Sequence, residues 1–120
     1  MNLTIVKYKH YGCTMDGGEK TPDVEDFFYW SFFELSNRRV ISLLLTETFK
    51  NNKLIHSDIS CHYTESYKFG DDFFIWFNKT FSSKERNLED PKNEEVDLVE
   101  TFFRNNIEKT KNIVSEIIYL

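Results

Sequence analysis

Val40-Ile41-Ser42-Leu43-Leu44-Leu45-Thr46-Glu47-Thr48-Phe49 is the stretch on which the fold turns. Read with a period of two, it places Ile41, Leu43, Leu45 and Phe49 on one face and Ser42, Thr46 and Thr48 on the other. That is the pattern of a half-buried strand in an antiparallel sheet. A helix over Val40 to Lys50 is the competing reading, because Leu43, Leu44 and Leu45 also fit a helical stripe. Turn sequences flank the stretch, Ser36-Asn37-Arg38-Arg39 before it and Lys50-Asn51-Asn52-Lys53 after it, and the second leads to a strand near Leu54 to Thr64. Leu3 to Lys9 alternates as an opening strand. Short connections make sequential strands neighbours.

Outward from this core lies a short echo: Asp26-Phe27-Phe28-Tyr29-Trp30 returns as Asp72-Phe73-Phe74-Ile75-Trp76. The second copy, bounded by Gly70-Asp71 and Ser82-Ser83, reads as a strand over Phe73 to Phe81 because aromatic residues favour a pleated, half-buried surface. By analogy the first copy is a strand. A helix competes there, since Thr21-Pro22-Asp23-Val24-Glu25 offers an N-cap, a proline at the first helical position and an acidic first turn. Phe27 to Phe33 is apolar on both sides, which calls for a second covering layer or leaves a patch for a partner.

The third element is an amphipathic helix opened by Asp90-Pro91. Val96, Val99, Phe103, Ile107, Thr110, Val114 and Ile117 recur at spacings of three and four, widened by Phe102, Ile113 and Ile118. Glu94, Glu95 and Asp97 suit its positive end, and Lys109 and Lys111 its negative end. Ile117-Ile118-Tyr119-Leu120 is expected to dock with it. The expected fold class is α+β: an antiparallel sheet of about five strands with a C-terminal amphipathic helix packed across one face, in one domain over residues 1–120.

Composition narrows the function classes. The 120 residues contain no alanine and no glutamine. Alanine is a good helix former and core filler, so no fold gains by excluding it; every alanine codon begins with GC, and AT-rich coding excludes it. Aromatic residues make up 17% of the chain and carry most of its burial. The net charge of −5 argues against direct nucleic-acid binding and favours plain solubility or a basic partner. No apolar run approaches membrane-spanning length. Met1 to Lys7 lacks the charged-then-apolar layout of a secretory signal, so a cytoplasmic location with the thiols of Cys13 and Cys61 reduced is expected.

Residue types that carry chemistry are present without their patterns. His10, Cys13, Cys61 and His62 have the identities of a zinc site, but paired ligands separated by two to four residues on a turn are missing. Cys61 and His62 are adjacent in an expected strand and point to opposite faces. Cys13 with His10, or Cys61 with His56, has no context of an activated nucleophile. The three histidines could supply an acid and a base, yet nothing in their surroundings marks them for it. Gly17-Gly18 lacks the helix and Lys-Ser/Thr of a phosphate loop and reads as a plain loop. No cofactor, metal or enzymatic activity is expected. What remains is charge: in a simple meander the loop Tyr11 to Asp26, with Asp16, Glu19, Asp23, Glu25 and Asp26, meets the segment carrying Glu85, Glu89, Asp90, Glu94 and Glu95. The two form an acidic pole, partly neutralised by Lys50 and Lys53. Asp16, Glu19, Asp23, Glu25, Asp26, Glu89, Asp90 and Glu94 are the candidate partner-binding residues.

In size, acidity, AT-rich coding and absence of a catalytic signature, the chain resembles the cytosolic immunity proteins that bacteria carry beside secreted toxins, including those of contact-dependent growth inhibition. These proteins share no motif, so no residue is carried over. The resemblance implies a protein that binds one cognate basic, nuclease-like toxin domain and blocks its active site or substrate surface. Two other readings stand beside it. One is a small enzyme or ligand-binding domain using Tyr8, His10, His62 and Tyr63; the other is an acidic mimic of nucleic acid, for which −5 is sparse.

Overall fold

A computed structural model describes residues 2–16, 23–64, 67–70, 72–82, 90–108 and 117–120. Four long strands, β1 (Ile5–Asp16), β2 (Val24–Leu35), β3 (Val40–Lys50) and β4 (Lys53–Tyr63), and a short β5 (Ile117–Tyr119) form one sheet in the order β4-β3-β2-β1-β5. Every neighbouring pair is antiparallel. The class is α+β, as the residue pattern requires. Val40 to Phe49 is a strand rather than a helix. It is joined to β4 by Asn51-Asn52, whose φ angles of 52° and 66° are the left-handed pair that a two-residue hairpin needs and asparagine tolerates.

The opening strand is longer than Leu3 to Lys9. Residues Tyr11 to Asp16, expected in a loop, continue β1 because β2 supplies a partner along its whole length, as far as Asp16 opposite Glu25. Gly17-Gly18 and Glu19 lie outside the described residues. β2 is the central strand, and this explains its lack of alternation: both of its faces are covered.

On one face, α2 (Asn93–Asn105) lies across the sheet. Val99 and Phe103 pack with Tyr8, Phe33, Ile41 and Leu43, all of them buried. Full burial of each such side chain contributes roughly 1.5–3 kcal/mol. On the other face, α1 (Phe73–Ser82) and the preceding Tyr67 and Phe69 cover Trp30 and Phe32. The Phe32 and Tyr67 rings stack at 3.8 Å, and Trp76 meets Trp30 edge-on at 6.2 Å. A second layer, not an open patch, therefore covers the outer side chains of Trp30 and Phe32.

Two expectations about elements fail. The second copy of the echo is helix α1, not a strand. Asp72 caps it, its carboxylate accepting the Ile75 backbone N–H at 3.1 Å, and Trp76 and Phe77 turn to the sheet while Ile75 stays exposed. The long C-terminal helix is also corrected. α2 stops at Asn105, where Asn106 leaves helical geometry with φ −125° and its side-chain amide donates to the Phe102 carbonyl at 2.8 Å. Ile117 and Ile118, expected in the helix stripe, instead pair with Lys9 and Tyr8 of β1, so the last element is a strand. Lys109, Thr110, Lys111, Ile113 and Val114 lie outside the described residues.

Candidate functional site

The described carboxylates of the two acidic segments do not meet. Asp23 and Glu25 stand at the end of the sheet where β3 turns into β4, the Asp23 carbonyl accepting the Asn51 N–H at 3.0 Å. Asp90 lies beside His62, opposite Ser42 on β3, whereas Asp26 lies opposite Thr48. Six residues of strand, about 20 Å, separate those levels. Glu94, on the first turn of α2, borders Thr4 and Ile5 at the same distant end as Asp90. Among the described residues the acidic pole is thus divided in two, because Asp90 lies beside His62 and the first turn of α2 meets Asn37 of the β2–β3 turn. Asp16 ends β1 opposite Glu25; Glu19, Glu85 and Glu89 lie outside the described residues.

At the β3–β4 end, sequence neighbours converge into a shallow depression. Glu25, Phe27 and Tyr29 of β2 and Glu47 and Phe49 of β3 point to the face that α2 covers farther along, and Asn52 closes the hairpin side. The hollow measures about 300 Å³ and adjoins a smaller one of about 200 Å³ where Asp23 joins Glu25, Phe49 and Asn51. Phe27 and Phe49 meet edge-to-face at 5.4 Å and form an apolar wall. Glu47 is only 8% exposed, whereas Asp23 and Glu25 are open to solvent. Asp26 faces the other way, where it accepts the Thr48 hydroxyl at 2.6 Å. Carboxylates beside aromatic faces suit a cationic side chain, which gains both Coulomb and ring-quadrupole attraction.

Glu47, Phe27, Tyr29 and Phe49 were not among the candidate residues. A signal existed for Glu47: strand parity sets it among Leu43, Leu45 and Phe49, a carboxylate in an otherwise apolar row.

The opposite end carries a polar network that anchors α2. Tyr63 donates its hydroxyl proton to Glu95 Oε1 and accepts the Lys92 backbone N–H at 3.2 Å, while Asn37 donates to Glu95 Oε2 at 3.3 Å. Glu95 is buried, so these donors offset the desolvation of its carboxylate. Burial and the Glu95 carboxylate hold the Tyr63 phenol above its ordinary range. The Arg39 guanidinium stacks 4.8 Å from the Tyr63 ring.

The residues considered for catalysis or metal binding are dispersed. Tyr8 and His10 lie in the core at 2% exposure, Tyr63 occupies the same face three strands away, and His62 is on the other face. His10 Nδ1 shares a hydrogen bond with the Ser31 hydroxyl, and its Nε2 has no hydrogen-bond partner among the described residues. Desolvation lowers the His10 pKa to about 4. Cys61 is half-buried, and desolvation, then Glu100, pushes its thiol up to about 12, far from the reactive range. Among the described residues no three His, Cys, Asp or Glu side chains gather as a metal site, and no helix is long and apolar enough to cross a membrane.

Fold and site together define a small α+β protein whose accessible chemistry is charged and aromatic surface. Compared with protein-family models, curated proteins and solved structures, the chain gives no match.

Proposed function

We propose that this chain is a cytoplasmic immunity-type inhibitor, of the kind carried beside contact-dependent growth inhibition toxins, which binds a cognate basic, nuclease-like toxin and covers its active site or substrate surface. The observation that supports this reading is the depression at the β3–β4 end. There Asp23, Glu25 and Glu47 surround Phe27, Tyr29 and Phe49, so a lysine or arginine of the toxin meets carboxylates and ring faces together. The net charge of −5 speeds encounter with a basic surface, and the rings supply contact area.

Co-expression with the adjacent open reading frame tests it. A neighbour that is toxic alone should be neutralised and should co-purify. In that complex, Asp23→Lys/Glu25→Lys should slow association and flatten its salt dependence while the fold persists. A harmless neighbour, or association unchanged in rate and salt slope, refutes the reading.

A further inference from the structure

Among the described residues, the flank of α2 remote from the depression is open. Five strands about 4.8 Å apart make a sheet about 20 Å wide, whereas one helix with its side chains spans about 10–12 Å. α2 therefore covers only part of its face. Beside it runs a groove of about 630 Å³ between the helix and the start of β1, closed at one side by Leu120. Leu3, Leu98 and Phe102 form its apolar floor. Its ends differ: Glu94 and Asp97 stand near the start of α2, and Asn105 near its end. None of the described residues lining the groove is basic. At the rim Leu120 is 64% exposed, and its N–H is tied to the Val6 carbonyl at 2.9 Å.

We propose that this groove docks an amphipathic helical segment of a partner protein, lying antiparallel to α2, with its apolar stripe on Leu98 and Phe102 and lysines or arginines of its last turns against Glu94 and Asp97. The occupant follows from polarity. A helix laid antiparallel opposes its dipole to that of α2 and brings its C-terminal end, where cations are favoured, to the acidic end of the groove. Apolar side chains at helical spacing fill the floor, the usual mode of helix-in-groove recognition. A parallel orientation would set the cations against the amide end. The inference goes beyond the depression and is independent of it, since the ten residues of β2 between Glu25 and Leu35, the partner of Ile5, hold the two sites about 34 Å apart.

The probes are two fluorescein-labelled peptides of about fourteen residues, long enough to be helix-competent. They share one leucine stripe and one composition, with the lysines in the last two turns of one and the first two turns of the other. Fluorescence anisotropy with the full chain should show the first binding about tenfold more tightly. Glu94→Lys/Asp97→Lys should abolish that preference. Thr101→Trp, which fills the groove from an exposed position on α2, should weaken both peptides about tenfold or more. Asp23→Lys/Glu25→Lys should change neither, so failure here is separable from failure of toxin binding. If Thr101→Trp does not fold by circular dichroism, the Glu94/Asp97 variant carries the test alone. Equal affinity for the two peptides, absence of binding, or a dimer by sedimentation that Glu94→Lys/Asp97→Lys dissolves would each overturn the proposal.

Discussion

Acidification from pH 7 to pH 4 should remove about 3 kcal/mol of stability through His10 alone. The ring is 2% exposed and packed against Tyr8, Phe33 and Phe103 at 4.9, 5.9 and 6.5 Å between centroids, with the Ser31 hydroxyl its one hydrogen-bond partner among the described residues. Desolvation lowers its pKa from 6.5 to about 4. The sign follows from proton uptake: below pH 6.5 the unfolded chain binds a proton that the folded chain refuses until about pH 4. The stability associated with neutral His10 is therefore intact above pH 6.5 and lost as pH falls towards 4. About 2.5 units at 1.36 kcal/mol each give about 3 kcal/mol. Urea denaturation of the wild type and His10→Gln at pH 7, 5.5 and 4 isolates this contribution, because every carboxylate titrates in both. The variant should start less stable, by about 1–3 kcal/mol for the altered core polar group, and the two curves should converge towards pH 4. Parallel curves would refute the buried, neutral imidazole.

Three further outcomes are expected. Phe103→Ala should destabilise the fold by about 3–5 kcal/mol in chemical denaturation, against less than about 0.5 kcal/mol for the exposed neighbour Arg104→Ala; equal effects would mean that α2 does not pack on the sheet. Asp72→Ala should cost about 0.5–2 kcal/mol and lower amide protection across α1, and a smaller change with unaltered exchange would remove the cap from the account of that helix. In a Cys13→Ser background, Cys61 should react with iodoacetamide at pH 8 about a thousandfold more slowly than in denaturant, and comparable rates would contradict its raised pKa.

The sheet was legible because its strands carry their own pattern. Ile41, Leu43, Leu45 and Phe49 fall on one face with Ser42, Thr46 and Thr48 on the other, and the Asn51-Asn52 turn sets the register of β3 against β4. α2 was legible at Val99 and Phe103 for the same reason, a strong local period. Its end was not. Ile107, helical again after the turn at Asn106, and Ile117 continue the helical spacing, but spacing only states which face a residue takes if the helix persists. Asn106 ends the helix, and Ile117-Ile118, rich in β-branched side chains, finds a strand partner in β1 that no local window contains. The acidic pole failed one level higher. A simple meander brings both segments to one end of the sheet, whereas the first turn of α2 lies beside the β2–β3 turn, where Asn37 donates to Glu95.

The echo makes the same point within five residues. Asp26-Phe27-Phe28-Tyr29-Trp30 is a central strand, and Asp72-Phe73-Phe74-Ile75-Trp76 opens a helix. Both contain an acidic residue followed by aromatic or β-branched ones, so propensity does not separate them. Their surroundings do. The first copy has β1 and β3 on either side, and pairing with both satisfies its backbone. The second copy follows Gly70 and must satisfy its own backbone; a helix does so internally once Asp72 accepts the Ile75 N–H. Trp76 then reaches Trp30, so the residue closing each copy of the echo packs against its counterpart across the sheet face. The same short sequence supplies a strand and part of the layer that buries it. A strand in the second position would have presented its aromatic side chains to opposite sides, leaving half of them in water.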